Sequence, residues 1–81
     1  MTHHFTAIIH QEADSTGAIG FVAHCPEIDV TTQGDTRDEA IANLREAVEL
    51  MLEDMSANEL RQRLRLGVSV APLEVAAPWA S

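Results

Sequence analysis

The chain is 81 residues long, with thirteen acidic residues set against five Arg and no Lys, for a formal charge of −8. Length confines it to one domain (1–81, core about 5–75, then a loose 76–81), and the charge repels phosphate backbones and anionic bilayers. Nothing resembles a secretory leader, and no run reaches the roughly 20 apolar residues of a membrane span, so the expected compartment is the cytoplasm.

Residues 5–9 are apolar or β-branched and predict a first strand, followed by a polar loop at 11–17. A second strand is expected over 18–24, with Ile19, Phe21 and Ala23 on one face, Val22 on the other and a bulge at Gly20. Pro26 lacks an amide hydrogen and ends it. A third strand follows at 28–32.

Thr36-Arg37-Asp38-Glu39 has the form of a capping box, and Asp35, Asp38 and Glu39 suit the positive end of a helix dipole. Ile41, Leu44, Val48, Met51, Leu52 and Met55 then recur at helical spacing, opposite Glu46, Glu49 and Glu53. Residues 58–66 predict a short helix with Leu60 and Leu64 inward, Gly67 stops it, and 68–75 reads as a last strand broken near Pro72. The expected fold is α+β, β-β-β-α-(α)-β: a three-stranded antiparallel sheet plus an edge strand, with one long helix packed on it.

No constellation of catalytic, cofactor or metal residues emerges. The histidines at 3, 4, 10 and 24 lack the i, i+4 spacing of a helical zinc site. His24 and Cys25, as neighbours in a strand, point to opposite faces and cannot act as a dyad, so Cys25 is assigned to the core. The stretch from Gly17 to Gly20 precedes a strand rather than a helix and is too sparse to cradle phosphate. Arg61, Arg63 and Arg65 form the one basic cluster and are expected to pair with the acidic helix or a second subunit. Asp14, Glu27 and Asp29 flank turns, where acids serve as caps or solvated surface.

The run Gly20-Phe21-Val22-Ala23-His24-Cys25-Pro26-Glu27-Ile28, followed by Val30-Thr31-Thr32-Gln33-Gly34-Asp35-Thr36-Arg37-Asp38-Glu39-Ala40 leading into the helix, resembles the HicB-like antitoxin domain over about residues 5–55. The resemblance implies a partial ribonuclease-H-like fold without nuclease activity that binds HicA, a small mRNA interferase, and blocks its catalytic His. Many members add a DNA-binding helix-turn-helix or ribbon-helix-helix; no such module is evident after the long helix, and Glu27-Ile28-Asp29-Val30 replaces a turn of Leu-Pro-Gly-Cys type.

The leading expectation is therefore a non-enzymatic, homo-oligomeric antitoxin-type domain that engages a HicA-like toxin protein through its acidic surface, with Asp14, Glu27 and Asp29 as candidate partner-binding residues and neither cofactor nor direct nucleic-acid binding. The alternatives are an orphan module of the same fold that binds another protein or a small ligand, and a metal-dependent nuclease using the acidic turns.

Overall fold

A computed structural model of the protein describes residues 3–79. Its elements are β1 (Ile8–Ala13), β2 (Ile19–Cys25), β3 (Val30–Gly34), α1 (Arg37–Glu53) and α2 (Ala57–Leu66). The strands form an antiparallel sheet in the order β1-β2-β3. This is an α+β arrangement with an open three-stranded sheet and two helices.

The β1–β2 hairpin owes its turn to Asp14. Its Oδ1 accepts hydrogen bonds from the Thr16 amide at 2.8 Å, the Thr16 hydroxyl at 2.6 Å and the Ala18 amide at 3.1 Å. The Gly17 amide donates to the Asp14 carbonyl and the Asp14 amide to the Ala18 carbonyl, while Gly17 sits at φ 88°. That combination is a tight turn with a left-handed glycine closing it. The pairing runs without interruption from Ala13↔Ile19 to Ile8↔His24, so the bulge expected at Gly20 does not occur.

Two strand positions differ from the sequence expectation. The first strand is Ile8–Ala13 rather than 5–9, because Gln11 and Glu12 lie on an outer strand where polar side chains meet solvent at no cost. Phe5 lies outside the strand yet packs partly buried against the core. The third strand is Val30–Gly34 rather than 28–32. The chain reverses through a turn at residues 26–29, with Asp29 left-handed at φ 55°, and Ile28 is folded into the core at 2% exposure.

Helix α1 begins where expected. Thr36 Oγ1 accepts from the Glu39 amide at 3.1 Å, although the returning bond of a full capping box is not formed among the described residues. The helix lies on β3 and β2, with Ala40, Leu44 and Val48 buried against Ala23, Cys25 and Ile28. Asn43 Nδ2 donates to the Gln33 carbonyl at 2.8 Å and Thr32 Oγ1 to the Ala40 carbonyl at 3.0 Å, fixing the first turns to β3. The approach is close enough that a Cβ on Gly34 would fall 2.5 Å from the Ala40 amide nitrogen.

Helix α2 is capped by Ser56, whose Oγ accepts from the Glu59 amide at 3.1 Å. Leu60 is buried and Leu64 partly so, but α2 meets the other elements only marginally. The final strand expected at 68–75 is not formed. Residues 67–79 carry no regular structure apart from a turn at 78–79, because within the protomer nothing pairs with them. Part of the expected loose tail, residues 80 and 81, lies outside the described residues. No helix among the described residues is long and apolar enough to cross a membrane.

Candidate functional site

Alternation along the strands sends Phe21, Ala23 and Cys25 toward α1 and His10, Val22, His24 and Gln33 to the open face. On that open face His24 Nδ1 is hydrogen-bonded to Thr31 Oγ1 at 2.8 Å, and His10 Nε2 lies 2.8 Å from Glu12 Oε1. Cys25 is fully buried on the other side, so the adjacent His24 and Cys25 do not meet. Burial, and then the Glu27 carboxylate accepting from the thiol at 3.4 Å, pushes the Cys25 thiol up, away from the nucleophilic thiolate.

The three turn acids singled out from sequence occupy different environments. Asp14 is exposed at the hairpin tip, where the Thr16 hydroxyl, with the amides of Thr16 and Ala18, holds its carboxyl below the ordinary carboxylate range. Glu27 and Asp29 lie beyond the other end of β2, roughly 23 Å away by the rise of a seven-residue strand. Glu27 is partly buried and engaged within the chain: the Thr6 amide reaches its two oxygens at 2.9 and 3.0 Å, and the Thr6 hydroxyl donates at 2.6 Å. Burial works to raise the Glu27 pKa, but the Thr6 hydroxyl and amide outweigh it, so the carboxyl titrates below its usual value. Asp29 is exposed, with Oδ1 3.7 Å from His24 Nε2.

The structure instead gathers acids at the hairpin end. The last residues of β1, the last of β3 and the first turn of α1 surround an open depression of about 540 Å³ that carries Glu12, Asp14, Asp35 and Glu39. Ile19 contributes an apolar wall and is 57% exposed. Strand alternation puts Ile19 on the α1 side and Glu12, beside His10, on the open side, so the acids flank this end of the sheet from both faces. An exposed aliphatic side chain near such carboxylates is suited to a basic protein surface, where the acids attract and the Ile anchors. Sequence reasoning placed Asp35 at the helix start and did not consider Glu12, because the convergence depends on strand register. Among the described residues no group of three His, Cys, Asp or Glu is placed to hold a metal ion.

A second groove, of about 570 Å³, runs between residues 3–7 and the face of α1, where Phe5, Leu44, Val48 and Leu52 line it. Arg61, Arg63 and Arg65 are exposed on α2, and none forms an ion pair among the described residues.

Comparison with known proteins gives two relatives. A UPF0150 protein of Helicobacter pylori (strain J99) is 35% identical over 65 residues, which span 80% of this chain and 88% of the relative. A UPF0150 protein of Synechocystis sp. is 38% identical over 56 residues, spanning 68% of this chain and 66% of the relative. No family model and no solved structure matches the chain.

Proposed function

The chain belongs to the UPF0150 family, and from that starting point we propose that it is a HicB-like antitoxin module that neutralises a HicA-like mRNA interferase by covering its RNA-binding and catalytic surface. The observation that carries this reading is the gathering of Asp14, Asp35 and Glu39 beside exposed Ile19 at the hairpin end, with Glu12 on the opposite face of the same end, in a chain of charge −8. A ribonuclease that binds RNA presents a basic surface, and a cluster of carboxylates competes with phosphates for it. Long-range attraction raises the encounter rate, and apolar contact at Ile19 slows dissociation. The protein performs no turnover in this scheme and acts in the cytoplasm, where the toxin's transcripts are.

Titration of the purified chain against the HicA-like product of a neighbouring gene tests the reading. The double variant Glu12→Lys/Asp35→Lys is expected to weaken binding about tenfold or more at low salt, with the deficit shrinking as salt screens it. Asp29→Lys, at the far end of the sheet, serves as the spatial control. Equal affinity of Glu12→Lys/Asp35→Lys and the unaltered protein removes the hairpin end as the interface.

A further inference from the structure

The apolar content of this chain is unevenly placed. Leu66, Val70, Leu73, Val75 and Trp79 are each more than two-thirds exposed, and all lie in the last stretch of the chain. The whole chain exposes 6535 Å², roughly 1,800 Å² more than a compact monomer of its mass. Its radius of gyration is 16.0 Å, against about 12 Å for a packed domain of this length. An excess of that size matches what one protomer contributes to a substantial homodimer interface.

The sheet offers a matching vacancy. The Asp14 amide bonds the Ala18 carbonyl, so alternation turns the backbone of Glu12, His10 and Ile8 toward β2 and leaves the amides and carbonyls of Ile9, Gln11 and Ala13 facing outward on the open edge of β1. Val68 and Val70 are β-branched and alternate, as a strand requires, and Pro72 is tolerable only in a strand that becomes the new edge. The arm is free to travel, because α2 is joined to α1 by the short link at residues 54–56 and barely touches its own sheet.

We propose that residues 68–75 of one copy add to the β1 edge of a second copy as an antiparallel strand, and that two copies exchange these arms reciprocally in a two-fold symmetric dimer. Charge sets the direction. Running antiparallel to β1, the arm places Val68 toward the hairpin end, so that Arg63 and Arg65 of α2 approach Glu12 and Asp14 of the second copy, acids that have no basic Lys or Arg partner among the described residues. The same direction carries Leu73 and Val75 toward the groove beside Phe5, Val48 and Leu52. Main-chain hydrogen bonds along the edge supply the pairing, and the valines and Leu73 supply buried apolar area. The exchange engages Glu12 and Asp14, two of the acids proposed to face the toxin, so it is tested on the chain alone with no toxin present.

The test uses the full chain and the variant Val68→Asn/Val70→Asn, whose altered positions are solvent-facing in the protomer and leave its core intact. Sedimentation equilibrium is expected to give twice the chain mass for the unaltered protein, and a dissociation constant about a hundredfold higher for the variant. In a mixture of isotope-labelled and unlabelled chains, isotope-filtered nuclear Overhauser contacts are expected between residues 68–70 of one chain and Gln11 or Ala13 of the other. A monomeric unaltered protein overturns the proposal, as do contacts confined to a single chain, and as does a dimer in which residues 68–75 stay unpaired or the variant associates with unchanged strength.

Discussion

The Glu27 carboxylate holds Thr6 by both its amide and its hydroxyl, fastening residues twenty-one positions apart and locking the segment before β1 to the β2–β3 turn. The Cys25 thiol donates to the same carboxylate. Removing the charge while keeping the shape, as Glu27→Gln does, is expected to lower unfolding free energy by about 1–3 kcal/mol in urea titration, since charge-assisted bonds are stronger than neutral ones. The same tie makes stability depend on pH with a definite sign. Glu27 titrates lower in the folded protein than the ordinary 4.5 of an unpaired Glu, so the unfolded chain binds the proton first. Its contribution is complete above about pH 4.5 and disappears as the pH falls through the folded value. Between those two values the unaltered protein is expected to lose stability more steeply than Glu27→Gln. Parallel stability curves in acid contradict the assignment.

Gly34→Ala is expected to cost more than a surface change at a strand end ordinarily does. The added methyl would meet the backbone of Ala40 at 2.5 Å, and backbone cannot rotate aside as a side chain can. Displacing the first turn of α1 also strains the Asn43 and Thr32 bonds to its neighbours. A loss of about 1–3 kcal/mol is expected from chemical denaturation. A loss within a few tenths would mean that the helix is not held against β3 at that point.

The two helix caps are chemically alike but differ in what lies behind them. Thr36→Ala and Ser56→Ala each remove a hydroxyl that accepts an amide bond, at a local cost of about 1 kcal/mol. Helix α1 is part of the core, so Thr36→Ala is expected to lower the global transition. Helix α2 is held chiefly through Leu60 and partly buried Leu64, with few contacts to the other elements, so Ser56→Ala is expected to speed amide exchange within Ala57–Leu66 while leaving the midpoint close to that of the unaltered protein.

Cys25 is fully buried and its thiol is pushed up by burial, so it reacts only when the core opens. Modification by a thiol reagent is expected to be no faster than opening of the core and to accelerate on adding moderate urea. Rapid labelling at the rate of a free thiol under native conditions would place Cys25 outside the core.

What could be read from residues alone was whatever a short window decides. The start of α1 at Thr36, its buried stripe through Leu44 and Val48, and the end of β2 at Cys25-Pro26 depend on capping, helical spacing and the missing proline amide. The cap of α2 is equally local, since Ser56 precedes Glu59 by three residues and starts the helix at Ala57 rather than at the expected 58. The limits of β1 were misplaced because an outer strand accepts polar side chains, which makes Gln11 and Glu12 look like loop.

Residues 68–75 mark the boundary of that legibility. Their composition favours a strand, but a strand exists only when paired with another backbone, and within the protomer none pairs with them. The acidic end is the same case on a larger scale. Composition supplied the negative charge, whereas bringing Glu12, Asp14, Asp35 and Glu39 to one end of the sheet required the register of three strands and the direction in which α1 leaves β3. Local chemistry thus determined which helices and turns form, and the tertiary pairing alone decided which charges meet, because proximity between residues far apart in the chain is carried by no window of the sequence.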